Sequence, residues 1–345
     1  MSDPAMVPSS PLPDVPSLAL EWVKAGRQAA LVSVISTWGS APRPLGSQLV
    51  VRDDMHFEGS VSGGCIEGDV LTVAMDVIAA GAPKLLDYGV TNDQAWSVGL
   101  ACGGRIRVFL QPVDTALEAI LEDLNQRRLD KRPVVMATLV EDGQSTLYSP
   151  AETLKIWGSD LTAEAEAAIT ADRPRSLVRA DQEIFLNVFN PPLRLFVIGA
   201  VHIAQALVPM AELAGFEVTV IDPRGVFANQ ARLGAARLVE DWPDDVLQAA
   251  RLDRRSAVIT LTHDPKLDDA ALNVALKSEA FYIGSLGSGK THAARLARLQ
   301  ELGFDEAALG RIHGPLGLDI GAQTPAEIAT SALAQVIATL RNHRP

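Results

Sequence analysis

Two cysteines, Cys65 and Cys102, offer the most distinctive chemistry in this chain of 345 residues. Each sits in a glycine-dense stretch, Gly59-Ser60-Val61-Ser62-Gly63-Gly64-Cys65-Ile66-Glu67-Gly68-Asp69 and Gly99-Leu100-Ala101-Cys102-Gly103-Gly104. The first runs straight into an amphipathic helix expected over residues 70–80, so Cys65 stands at a loop–helix junction. Thiolate is the form that binds soft metals or carries sulfur, and helix N-termini favour it. Flanking glycines let a bulky ligand approach the backbone. The competing reading is a small buried residue filling a tight turn, the usual fate of an isolated cysteine. Two thiols, each beside a Gly-Gly pair, weigh against that. Cys102 taken alone reads as structural, because a strand is expected at residues 105–110. The sequence presents no Ser-His-Asp set, no carboxylate pair and no histidine spacing suited to zinc. Neither a catalytic residue nor a metal ligand is therefore assigned.

Two other stretches invite a nucleotide. After an apolar strand at Leu193–Ile198 come Gly199-Ala200-Val201-His202-Ile203-Ala204. They form part of the glycine fingerprint that seats a pyrophosphate on a helix N-terminus. Gly199 supplies the turn and Ala204 permits close helix–strand packing, but Val201 stands where a bare backbone should admit the pyrophosphate. Asp222 matches the acidic residue that binds a ribose hydroxyl, with Arg224 beside it; the bland alternative is a helix cap. Farther on, Gly284-Ser285-Leu286-Gly287-Ser288-Gly289-Lys290-Thr291 satisfies the phosphate-loop pattern GxxxxGK[ST]. It follows a late strand of a domain begun at Leu193, whereas phosphate-loop proteins use an early one. Asp264 is a loose candidate for the acid that would hold a metal. An anion-binding helix N-terminus with Lys290 is a better expectation than ATP or GTP hydrolysis.

The elements that must position these residues fall into two groups. Residues 1–13 form a Pro- and Ser-rich tail. Asp14 then reads as an N-cap, with Val15, Leu18, Ala19, Trp22 and Val23 on one helical stripe. Strands are expected at 30–37, Gln48–Arg52, 105–110, 134–140, Ser145–Tyr148 and 184–188, with Asp114 capping a helix that carries Leu117, Ile120, Leu121 and Leu124. A polar helix is expected at 163–169. Asn190-Pro191-Pro192 is the best linker, because consecutive prolines lack donors and stiffen the backbone. After it, apolar strands at Leu193–Ile198, 218–221, 257–261 and 281–283 alternate with helices that include 203–214 and 268–277. Continuous apolar strands between helices require a sheet covered on both faces. Thr324-Pro325-Ala326-Glu327 is a capping box opening the last helix. The fold class is thus α/β: an N-terminal α/β domain over 14–189, then a C-terminal Rossmann-like domain with a mainly parallel sheet over 190–345.

Composition limits the function classes. Hydrophobic residues make up 48% and charged residues 21%, which suits packed domains and not disorder. The net charge of −12, without a Lys/Arg stripe, argues against a nucleic-acid surface. No apolar run spans a bilayer and no secretory signal is read at the N-terminus, so a cytoplasmic location with reduced thiols is expected.

Taken in order, the motifs are similar to those of the XdhC/CoxI family, the xanthine and carbon monoxide dehydrogenase accessory proteins. Gly39-Ser40-Ala41-Pro42-Arg43 followed by residues 59–69 resembles its N-terminal pattern, and Gly-Leu-Ala-Cys-Gly-Gly its second segment. Residues 199–204 with His202, Asp222-Pro223-Arg224 with Phe227-Ala228, Tyr282-Ile283-Gly284-Ser285, and residues 311–321 resemble its Rossmann domain. The resemblance implies a maturation factor that binds molybdenum cofactor (molybdopterin, in the mononucleotide or a cytosine dinucleotide form). Such a protein shields the cofactor during sulfuration and delivers it to a molybdenum hydroxylase apoenzyme. A cysteine desulfurase is a second implied partner, and a homodimer is an expectation that no sequence feature carries. The candidate cofactor contacts are Ser40, Arg43, Ser62, Gly63, Gly64, Cys65, Glu67 and Cys102, with Gly199, His202, Asp222, Arg224, Gly284 and Ser285 in the Rossmann domain. Val201, in place of a second glycine, and Gly287-Ser288-Gly289-Lys290, in place of a more basic stretch, depart from the family pattern. The alternative is an NAD(P)-dependent oxidoreductase, and nucleotide-driven delivery through residues 284–291 is a third.

Overall fold

The computed structural model describes residues 14–41, 43–89, 104–225 and 236–342; Cys102, Phe227 and Ala228 lie outside them. The described residues divide into two compact units, one within Leu12–Pro191 and the other within Pro192–Pro345.

The first unit contains α1 (Val15–Lys24), β1 (Ala29–Trp38), β2 (Gln48–Arg52), β3 (Phe57–Gly59), α2 (Glu67–Ala80), β4 (Lys84–Tyr88), β5 (Arg105–Pro112) and α3 (Thr115–Leu129). They are followed by β6 (Val134–Leu139), β7 (Ser145–Tyr148), β8 (Lys155–Ile156), β9 (Ser159–Asp160), α4 (Thr162–Ala171), β10 (Arg175–Arg179) and β11 (Gln182–Phe189). Five strands pair antiparallel in the order β3-β2-β1-β5-β4, and four more in the order β10-β11-β6-β7. β1 explains its own sequence. Side chains alternate across a strand: Ala29 and Leu31 pack with Trp22, Leu121 and Leu124 from α1 and α3, while Ala30, Val32 and Val34 pack with Val70, Ala74 and Val77 from α2. With both faces covered, its first seven positions are all buried. The sequence offered no sign of β4 and β10. Both are sheet-edge strands with exposed charges, Lys84 and Asp87 in one and Arg179 in the other, which break the apolar alternation.

The second unit contains β12 (Leu193–Ile198), α5 (His202–Leu213), β13 (Phe216–Ile221), β14 (Arg237–Val239), α6 (Pro243–Ala250), β15 (Ser256–Thr260) and α7 (Pro265–Leu276). It continues through β16 (Tyr282–Ser285), α8 (Gly289–Glu301), α9 (Glu306–Leu309), β17 (Ile312–His313) and α10 (Pro325–Asn342). The strands are all parallel in the order β14-β13-β12-β15-β16-β17. One apolar core joins the sheet to α5 and α10, the other to α7 and α8. The order reverses between β12 and β15, which is where open α/β sheets bind ligands beyond their strand ends. The expected fold class is the one found: antiparallel sheets in the first unit, a doubly covered parallel sheet in the second.

Three local expectations change. α2 begins at Glu67, three residues earlier than its apolar stripe suggests, because the Glu67 side chain organises the turn before it. β16 runs through Gly284 and Ser285, so the start of the phosphate-loop pattern is paired strand rather than loop. Asp14 stands at the N-cap of α1, yet its carboxylate binds the Ser17 hydroxyl at 2.8 Å and Arg128 at 2.9 Å rather than a helix amide. The Thr324–Glu327 capping box does form, with Glu327 accepting from the Thr324 amide at 2.9 Å.

Candidate functional site

The loop from Ser60 to Ile66 connects β3 to α2. Its backbone turns twice through the left-handed region, at Gly63 (φ 71°) and Gly64 (φ 109°), and Gly64 faces open space. At Gly64 the conformation, not crowding, requires glycine. The folding of the loop centres on the Glu67 carboxylate. Oε1 accepts from the Ser60 hydroxyl at 2.9 Å and from the Val61 and Ser62 amides at 3.2 and 2.9 Å. Oε2 accepts from the Ser62 hydroxyl and, at 2.8 Å, from the Gly64 amide. The two serines extend the scheme. Ser60 Oγ accepts the Gly63 amide at 2.9 Å, and Ser62 Oγ accepts the Ile66 amide at 2.9 Å. Burial by itself would raise the Glu67 pKa; the hydrogen bonds from Ser62 and Ser60 outweigh it and bring the carboxyl down to about 2. Ser60 and Glu67 act together here, and the sequence reading overlooked Ser60. Its signal is its place one residue beyond β3 and seven before Glu67.

Cys65 is half-buried at the mouth of this loop, packed against the core beneath α2, and forms no disulfide. Gly63 and Gly64 beside it are exposed. Arg43 reaches the same loop, its Nε donating to the Ser60 carbonyl at 3.4 Å. Ser40 is exposed on the turn after β1. A Cβ on Gly104, two residues past Cys102, would lie 2.9 Å from the Ser40 carbonyl oxygen. Below the loop, the Tyr88 hydroxyl donates to Asp69 at 2.5 Å; burial and that carboxylate hold the phenol protonated well above its ordinary range.

The Rossmann-unit candidates form their own set at the carboxyl ends of the strands. Gly199 has φ 106°, and a Cβ there would lie 2.7 Å from the Thr262 methyl, so both backbone and space exclude a side chain. Asp222 is fully buried. Its carboxylate accepts from the Ala200 amide at 2.9 Å, the Arg224 amide at 3.0 Å and the Arg224 guanidinium twice at 2.9 Å. Burial pushes its pKa up, but these donors, Arg224 foremost, hold it below the usual carboxylate range. The residue expected to meet a ribose hydroxyl is thus already engaged in tying two loops together. Ser285 is buried and its hydroxyl lies 2.5 Å from that of Thr260 on the adjacent strand. A Cβ on Gly284 would run into the Tyr282 hydroxyl at 2.6 Å, so close packing requires glycine there. His202 is exposed at the first position of α5, whose N-cap, Val201, offers no side-chain hydrogen bond. Lys290 is exposed, while Ser288 caps α8 by accepting the Thr291 amide at 3.2 Å.

One polar pair in this unit went unnoticed in the sequence. Asp268 and Arg295 are both 2% exposed and stand 3.8 Å apart. Asp268 accepts from the Thr262 hydroxyl at 2.7 Å, and Arg295 donates to the Leu286 carbonyl at 2.8 Å. Burial raises the Asp268 pKa and lowers that of Arg295. Each lies among the apolar periodic positions of its helix, where a charged residue is the signal of a buried contact. No group of three or more His, Cys, Asp or Glu placed to hold a metal occurs among the described residues. None of their helices is long and apolar enough to cross a membrane.

Residues 22–89 match the XdhC and CoxI family, and residues 195–336 match the XdhC Rossmann domain. The chain is 30% identical over 327 residues to the Escherichia coli molybdenum cofactor insertion chaperone PaoD, covering 94% of this chain and 87% of that protein. It is 25% identical over 320 residues to a probable xanthine dehydrogenase subunit from Bacillus subtilis, covering 90% of this chain and 93% of that protein. A Bacillus halodurans crystal structure described as a xanthine dehydrogenase superposes with a TM-score of 0.76 at 25% identity, over 95% of this chain and 96% of that one. The resemblance read from the motifs is borne out at both ends of the chain, which belongs to the XdhC and CoxI family.

Proposed function

We propose that the protein is a molybdenum-cofactor chaperone that shields the cofactor during sulfuration and hands it to a molybdenum hydroxylase apoenzyme of the xanthine or carbon monoxide dehydrogenase type. The observation that carries this reading is the nearly end-to-end similarity to an insertion chaperone. The first unit supplies chemistry suited to such cargo. Cys65 offers sulfur, a soft donor matched to a soft metal, beside two exposed glycines that leave room for a flat pterin. Arg43, a permanent cation at the same loop, supplies charge for the pterin phosphate. Because Glu67 already takes the amides of Val61, Ser62 and Gly64, that phosphate has Arg43 as its partner rather than those amides. In the Rossmann unit the internal bonding of Asp222 and the side chain of Val201 favour a scaffold over an NAD(P) site. A cysteine desulfurase that loads sulfur, and a homodimer, complete the proposal.

The test is to purify the protein from molybdenum-replete cells and measure metal content together with oxidised-pterin fluorescence. Copurification, or uptake of free cofactor, is the expected result. Absence of both sinks the reading, and saturable stabilisation by NAD(P) would put the oxidoreductase in its place. Nucleotide analysis of released cofactor separates the mononucleotide from the cytosine dinucleotide form. Cys65→Ser should lose more cofactor than Cys102→Ser; retention equal to wild type would leave Cys65 a packing residue.

A further inference from the structure

We infer that Glu67 is the positioning residue of the Cys65 loop, an internal anion around which residues 60–66 are wrapped, and that it acts on the cargo through Cys65 without touching it. The second half of that statement rests on the function proposed above; the first does not.

The observation is the completeness of the hydrogen-bonding scheme. Directly, Glu67 accepts from the amides of Val61, Ser62 and Gly64; through Ser60 and Ser62 it secures those of Gly63 and Ile66. Of residues 61–66, Cys65 alone has an amide that takes no part. The concavity thus formed is an anion-binding nest, and its anion belongs to the protein. A carboxylate suits this place because it accepts only. Five donors converge on its two oxygens, and no cation contacts it among the described residues. An amide at the same position would turn an NH2 group toward at least one of those donors. Alanine would leave the nest open, with hydroxyls and amides pointing at nothing. In wild type the arrangement holds Gly63 and Gly64 in left-handed conformations and fixes where the thiol stands. The loop therefore presents sulfur to its cargo while withholding every amide of residues 61–66 except that of Cys65.

An empty nest should accept a small carboxylate from solution, so the experiment is chemical rescue of Glu67→Ala in the full chain carrying Cys102→Ser. The rate of Cys65 modification by a maleimide is followed with and without formate, with chloride holding ionic strength constant. We expect modification several-fold faster in Glu67→Ala than in the Cys102→Ser parent, and a return toward the parent rate as formate is added. Glu67→Gln, which keeps the volume and fills the nest, should also react faster and should not respond to formate. If Glu67→Ala does not fold, the faster reaction of Glu67→Gln carries the test. Unchanged Cys65 rates in the folded variants overturn the inference, and so does a faster Glu67→Ala that ignores formate. Cofactor retention measured alongside separates the two readings. Rescue of the thiol rate in a protein whose wild type binds no cofactor leaves Glu67 as positioning residue and removes the proposed cargo.

Discussion

Each unit organises a glycine-bearing loop around one buried carboxylate, and the two do so with different partners. In the antiparallel unit Glu67 gathers amides and hydroxyls alone. In the Rossmann unit Asp222 gathers two amides and is neutralised by the guanidinium of Arg224. The Ala200 amide bond joins the turn after β13 to the loop after β12, Arg224 secures the carboxylate within its own turn, and together they make that region a brace. The Glu67 arrangement ties nothing distant; all its donors lie within seven residues, and its effect is to shape the ground on which Cys65 stands. A charge solvated by neutral amides and hydroxyls needs no cation of its own, whereas an ion pair closes its own site. On the proposed function, that contrast gives the N-terminal loop to the ligand and the Asp222 corner to stability.

The largest effect is expected where the brace is cut. Asp222→Ala takes the carboxylate away from the Arg224 guanidinium and the Ala200 amide, and removing one partner of a buried pair costs about 3–5 kcal/mol. Because Arg224 is 33% exposed, the lower end is expected. Urea denaturation would show it, and a loss below about 1 kcal/mol would mean that the corner is not a brace. Next comes the pH response of the nest. The Glu67 pKa falls from 4.5 to about 2 on folding, so its contribution is present above pH 4.5 and lost as pH drops toward 2. The difference corresponds to about 3 kcal/mol. The stability gap between wild type and Glu67→Gln should therefore narrow as pH falls through that window, with carboxylates common to both cancelling. A gap constant from pH 6 to 3 would show that the Glu67 charge contributes nothing. The smallest effect belongs to Lys290, which is exposed on α8. Lys290→Ala should change stability by less than about 0.5 kcal/mol and leave any thermal response to nucleotides as in wild type. A lost nucleotide response would restore residues 284–291 as a phosphate site and blur the contrast between the units.

Much of the fold was legible because burial left a pattern. β12 carries its apolar residues with little interruption, and Leu193–Ile198 was readable to both ends. Strands β4 and β10 were not, since their edge positions are filled with charges that read as loop. The same contrast runs through the site. Cys65, Gly63, Gly64 and Glu67 could be singled out by type and spacing. That Glu67 turns back on its own loop, rather than outward to a ligand, could not. Residue types state what a side chain can accept; they do not state which donors arrive first.

The sequence by itself determined the family, through the resemblance of motifs taken in order, and the doubly covered parallel sheet, because apolar strands alternating with helices leave a local periodicity. Only the tertiary structure decided the fate of the carboxylates. Asp222 looked like a ribose partner and is engaged by Ala200 and Arg224. Asp268 and Arg295, 27 residues apart in sequence, meet inside the Rossmann unit. A carboxylate satisfies its lone pairs with the nearest donors in space, and nearness in space is what the fold creates.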